Sequence, residues 1–122
     1  MTTIRVKRVY EAPADGDGFR LLVDRLWPRG LARERAHIDA WLKTVSPSDE
    51  LRHRFHHDPA QWDAFRASYF AELQANPPAV AELMEVLRQH RVVTLLYGAK
   101  EERFNNAQAL AEFIAKKKGA RH

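Results

Sequence analysis

A chain of 122 residues, 45% apolar and 30% charged, is long enough to enclose one core and too apolar to stay disordered. Its apolar runs are too short to cross a bilayer, and the absence of cysteine excludes disulfides, thiolate metal sites and cysteine nucleophiles. A formal charge of +4 and a pI near 9.7 favour acidic partners weakly, short of the bias of a dedicated nucleic-acid binder.

Met1-Thr2-Thr3-Ile4-Arg5 lacks the basic segment and apolar stretch of a secretory signal, so a cytoplasmic protein is expected, with residues 1–122 as one domain. Ile4 and Val6 alternate with Arg5 and Lys7, the two-residue period of a first strand over about Thr3 to Tyr10. Ala14-Asp15-Gly16-Asp17-Gly18 is turn chemistry and leads into Phe19-Arg20-Leu21-Leu22-Val23. That second strand is nearly continuous in apolar residues, as expected when both faces are covered. It ends at Asp24-Arg25-Leu26-Trp27-Pro28-Arg29-Gly30, a loop.

Residues Ile38 to Val45 admit a third strand or a short helix, and an edge strand is preferred. Ser48, followed by Asp49 and Glu50, caps a short helix running toward Phe55. Asp58-Pro59-Ala60-Gln61 starts a long helix, with Asp58 as cap, Pro59 at the first helical position and Gln61 completing a capping box. Trp62, Phe65, Tyr69 and Leu73 then form a stripe that buries against the sheet, widened by Phe70. Asn76-Pro77-Pro78 ends this helix and begins another, on which Val80, Leu83, Met84 and Leu87 repeat the pattern.

Arg91 to Tyr97, short, apolar and β-branched, is the best candidate for a central strand with a parallel partner. After it, Asn105 or Asn106 caps a last helix that turns Ala107, Leu110, Phe113 and Ile114 inward. Lys116, Lys117, Lys118 and Arg121 form a basic tail, read as a solvated helix end facing the negative pole of its own helix. The order of elements describes a small α/β domain, a mostly parallel sheet of three or four strands flanked by helices.

Ligands of open α/β sheets bind beyond the carboxyl ends of strands, which directs attention to two segments. In the loop after the second strand, Arg25 and Arg29 offer planar forks for carboxylate or phosphate oxygens, and Trp27 offers a stacking surface. The competing reading there is an ion pair of Asp24 with Arg25 or Arg29, and Trp27 as a core anchor. In the segment after the fourth strand, Tyr97, Lys100, Asn105 and Asn106 suit a bound anion. Here the competing reading makes Asn105 a cap, Lys100 a solvated cation and Tyr97 a half-buried phenol.

His53, His56, His57 and Asp58 lack a metal-binding spacing, so no metal is assigned. His56 or His57 remains a candidate general acid or base, with Tyr10 and Ser46 as lesser candidates. No GxSxG, Walker A, GxGxxG or EF-hand pattern occurs, and no cofactor is implied.

Several segments together resemble the YeaO-like family, a bacterial domain family of unknown function. They are Lys7-Arg8-Val9-Tyr10, Asp17-Gly18-Phe19-Arg20, Leu22 to Gly30, Ser46-Pro47-Ser48 with Glu50-Leu51-Arg52, Tyr69 to Leu73, and Leu95-Leu96-Tyr97 with Ala99-Lys100. The resemblance spans nearly the whole chain and implies a small cytoplasmic α/β protein without supplying an activity. Relatives often place a histidine or another polar residue where this chain has Phe104, which argues against a catalytic role at that position. Some relatives are labelled transcription regulators, but no helix-turn-helix pair with a basic recognition helix is visible here.

The resulting expectation is a pocket for a small phosphorylated or carboxylated ligand, built from Arg25, Trp27, Arg29, Tyr97, Lys100, Asn105 and Asn106. Catalysis is optional in it: the arginines would hold charge, Tyr97 or a histidine would move protons, and Asp24 would orient an arginine. The alternatives are nucleic-acid binding through Arg5, Lys7, Arg8, Arg25, Arg29 and the basic tail, or a protein-interaction module.

Overall fold

The computed structural model describes residues 2–56 and 58–119. Four strands form one sheet: β1 (Thr3–Arg8), β2 (Phe19–Leu22), β3 (Ala40–Trp41) and β4 (Val92–Tyr97), in the order β1-β4-β2-β3. Every pairing is parallel. The β-branched run expected to be central is one of the two interior strands, with Leu95 opposite Val6 on one side and Leu21 on the other.

The helices are α1 (Arg33–Ala36), α2 (Asp49–Phe55), α3 (Trp62–Gln74), α4 (Pro77–Gln89) and α5 (Asn106–Gly119). Each start follows from local chemistry. Ser48 accepts from the Leu51 amide at 3.1 Å and opens α2, while the same residue binds the Glu72 carboxylate through its own amide and hydroxyl, fixing α2 on α3. Asp58 accepts from the Ala60 amide and starts a 3-10 turn (Pro59–Gln61) that runs into α3. Pro77 opens α4, where its missing amide hydrogen costs nothing. Asn105, fully buried, accepts from the Gln108 amide at 2.9 Å and caps α5.

Two strands depart from their expected bounds by more than one residue. β1 stops at Arg8 rather than Tyr10, because the chain turns there, although the Val9 amide still donates to the Tyr97 carbonyl. The third strand is only Ala40–Trp41 and sits at the sheet edge, and Lys43–Val45 turns into a 3-10 helix. His57 and Arg121, the latter part of the expected basic tail, lie outside the described residues.

Alternate strand residues face different surroundings. Leu21, Val23, Val93, Leu95 and Tyr97 join one apolar cluster with buried residues of α2–α5, including Phe55, Phe65, Tyr69, Leu83, Leu110 and Ile114. The stripe on α3 buries Phe65, Tyr69 and Leu73 and leaves Trp62 at its margin. Tyr69 is enclosed completely, donates its hydroxyl to the Val45 carbonyl, and has its pKa pushed up by burial.

The other face carries a smaller cluster of Val9, Leu22 and Leu96, packed by Trp27, Leu31, Ile38 and Trp41. Beside it lies a set of bonded charges. Asp17 binds the Arg20 guanidinium, accepts from Lys7 Nζ at 3.1 Å and from the Ala14 amide at 3.0 Å. Arg20 also donates to the carbonyls of Ala36 and His37, and Thr94 donates to the Asp17 carbonyl. Gly18, with φ 63°, closes this turn where a Cβ would meet the Val92 carbonyl oxygen at 2.3 Å. No helix of the described residues is long and apolar enough to cross a membrane.

Candidate functional site

β2 and β4 are neighbours pointing the same way, so the loops that leave them meet beyond the same end of the sheet. Asp24 is the joint between them. Its carboxylate accepts from the Gly98 amide at 2.8 Å and from Asn106 Nδ2 at 3.1 Å, and its carbonyl accepts from Trp41 Nε1 at 2.7 Å. Gly98 needs to be small here, because a Cβ would come within 3.2 Å of that carboxylate. On the neighbouring strand, Arg8 donates to the Ala99 carbonyl and lies over the Tyr10 ring, while the Tyr10 hydroxyl donates to the Arg29 carbonyl.

A cleft of about 220 Å³ opens at this end, between the loop after β2, the Ala99 backbone and the helices α2 and α3. Phe55, Phe65 and Pro47 give it an apolar wall, and Leu26, 63% exposed, stands at its edge. Arg25 and Arg52 bring two guanidinium groups to it. Both are partly exposed, and both approach the same carboxylate: Asp49 lies 2.7 Å from Arg52 and 3.6 Å from Arg25 Nε. Arg25 additionally donates to the Pro47 carbonyl at 3.4 Å.

The seven expected ligand residues separate into groups. Arg25 and Asn106 line the cleft. Asn106 directs its amide hydrogens at the Val23 carbonyl and Asp24, so it holds the loop. Arg29 and Lys100 are exposed at the same end of the sheet without lining the cleft. Tyr97 is buried in the larger cluster, where burial, reinforced by Glu102 and Glu11, pushes its phenol above the ordinary value. Trp27 faces the other way, edge-on to Trp41 with the Arg33 guanidinium over its ring, and its indole donates to the Leu31 carbonyl. Asn105 is a buried cap.

Arg52, Phe55 and Phe65 were not anticipated at the site, because they arrive from helices whose spacing signals only packing. Among the described residues no group of three or more histidine, aspartate or glutamate side chains is placed to hold a metal. Phe104 packs against Trp62 with ring centroids 5.3 Å apart.

Four parallel strands, with the longer helices gathered over one face and a cleft beyond the strand ends, define a small single-domain α/β protein. Comparison with known proteins places it further. A family model described as the inactive DUF488-N3 subclade matches residues 3–122. The uncharacterised protein YeaO of Escherichia coli (strain K12) is 40% identical over 111 residues, covering 91% of this chain and 96% of that protein. The uncharacterised protein Rv3073c of Mycobacterium tuberculosis (strain ATCC 25618 / H37Rv) is 39% identical over 113 residues, or 93% of this chain and 94% of that protein. Mb3100c of Mycobacterium bovis matches to the same extent. No solved structure matches the chain. The chain belongs to the YeaO-like family, within the inactive DUF488-N3 subclade.

Proposed function

We propose that this protein binds a small anion, carboxylate or phosphate, in the cleft beyond β2 and β4, and does so without turning it over. The observation that carries the reading is the pair Arg25 and Arg52, two guanidinium groups from different elements that converge on one carboxylate at the mouth of a cavity. Asp49 is 64% exposed in its side chain, and such a surface pair is weak enough for an incoming anion to displace it. Exposed Arg29 and Lys100, at the same end of the sheet, add to the positive field that draws an anion in.

Two considerations favour binding over catalysis. Tyr97, one of the expected proton-transferring groups, is enclosed in the core, and the matched subclade is described as inactive. A small ligand is also favoured over nucleic acid, since several of the residues a polynucleotide would need are already engaged. Lys7 is bound to Asp17, Arg8 to the Ala99 carbonyl, and Trp27 lies between Trp41 and Arg33.

The test is a titration with sodium acetate and with inorganic phosphate at constant ionic strength, followed by amide chemical shifts. Shifts should concentrate around Arg25, Arg52 and Ala99, weaken at least about tenfold in Arg25→Ala and Arg52→Ala, and strengthen up to about fivefold in Asp49→Asn. Shifts scattered over the surface, unchanged in the arginine variants, would overturn the proposal.

A further inference from the structure

We infer that the ligand of this cleft is a monocarboxylate with an apolar body about the size of one aromatic ring; this rests on the anion-binding reading and narrows it. Three features lead there. The first is size: the cleft, about 220 Å³, lies below the usual range of roughly 300–1,000 Å³ for drug-sized ligands. A ligand as large as a nucleotide would extend beyond it.

The second feature is charge. Arg25 and Arg52 are accompanied by Asp24 in the lining and Asp49 at the rim, so two cations face two anions. A phosphate monoester brings a charge of roughly −1.5 to −2 into that balance, whereas a carboxylate brings one. Asp49 already occupies the guanidinium pair with a carboxylate, so a ligand carboxylate exchanges like for like.

The third feature is the apolar half of the site. Phe55 and Phe65, stacked with centroids 4.3 Å apart, and Pro47 form one wall. Leu26 stands opposite solvent at the lip and is, with Tyr10, one of two large hydrophobic side chains exposed among the described residues. A ligand with an apolar body covers Leu26, and a bare anion leaves it in water. The carboxylate then meets the arginines while the ring lies against the phenylalanine wall.

The experiment compares benzoate, acetate, inorganic phosphate and adenosine monophosphate on the full chain, by amide shifts and calorimetry. Benzoate should bind at least about tenfold more tightly than acetate, because only benzoate buries a ring. Leu26→Ala, at an exposed position that leaves the fold intact by thermal unfolding, should weaken benzoate about three- to tenfold and leave acetate unchanged. Equal affinities for benzoate and acetate, or no effect of Leu26→Ala, overturn this inference and leave the anion site standing. Tighter binding of phosphate or adenosine monophosphate than of benzoate also overturns it, by its charge and size arguments. Absence of binding by all four removes the anion site itself and this inference with it.

Discussion

The two faces of the sheet are closed by different physics. Over one, residues of α2–α5 bury a continuous apolar cluster, and the strands contribute Leu21, Val23, Val93, Leu95 and Tyr97 to it. Over the other, three buried apolar residues are accompanied by a charged group, Asp17 with Arg20 and Lys7, whose side chains are bonded to the Ala14 amide and the Ala36 carbonyl, while the Thr94 hydroxyl donates to the Asp17 carbonyl. Apolar closure tolerates substitutions in proportion to volume lost. Ionic closure behaves differently, since removal of one partner strands the others in a desolvated site.

The largest effect that separates the two is expected from Asp17→Ala. It leaves Arg20, 4% exposed, without its counter-charge and should lower stability by about 3–5 kcal/mol in urea titrations. Leu95→Ala, its counterpart on the helical side, should cost about 2–5 kcal/mol. A loss below about 1 kcal/mol in Asp17→Ala would show that water reaches the charges and that the contrast between the faces is false.

Acid should then distinguish them by sign. Burial alone would raise the Asp17 carboxyl, but the Ala14 amide, Lys7 and Arg20 outweigh it and hold its pKa below the ordinary 3.8. A group lowered on folding contributes stability that is complete above its unfolded value and is lost as pH falls through the lowered native value. Urea midpoints of the wild type should therefore drop below about pH 4, and Asp17→Asn should flatten that part of the curve. Leu95→Ala should keep the wild-type slope. A smaller effect is expected where the faces meet the site: Trp41→Phe removes the indole bond to the Asp24 carbonyl and should cost about 0.5–1.5 kcal/mol, with altered amide shifts at Gly98 and Asn106.

The same contrast explains what the sequence disclosed. The helical face was legible because apolar spacing on α3, α4 and α5 and the β-branched run of β4 are periodic, and periodicity is a local property. The ionic face was not, because Asp17 looks like one more turn residue and its partners lie ten residues upstream and three downstream. Arg20 carried the available signal: a single charge within a strand otherwise apolar on both sides requires a buried partner. At the site, the meeting of the loops after β2 and β4 followed from the parallel arrangement, and Arg25 followed from the chemistry of its loop. Arg52 and the phenylalanine wall did not, since nothing in a helical stripe tells which residue reaches past the sheet edge. Nor did the direction of Trp27, which depends on the path of an irregular loop.

The interior position of β4 also bears on how the chain assembles. Its partners on the two sides begin at Thr3 and Phe19, so the sheet's main pairings close loops of more than seventy residues. Before Val92–Tyr97 is synthesised, β1 has no neighbour, and β2 can pair only with the two residues of β3. Closing such distant contacts is slow relative to local ones, and it leaves the amino-terminal strand waiting on the last quarter of the chain. During translation the Asp24 junction and the cleft beside it are therefore among the last features to form.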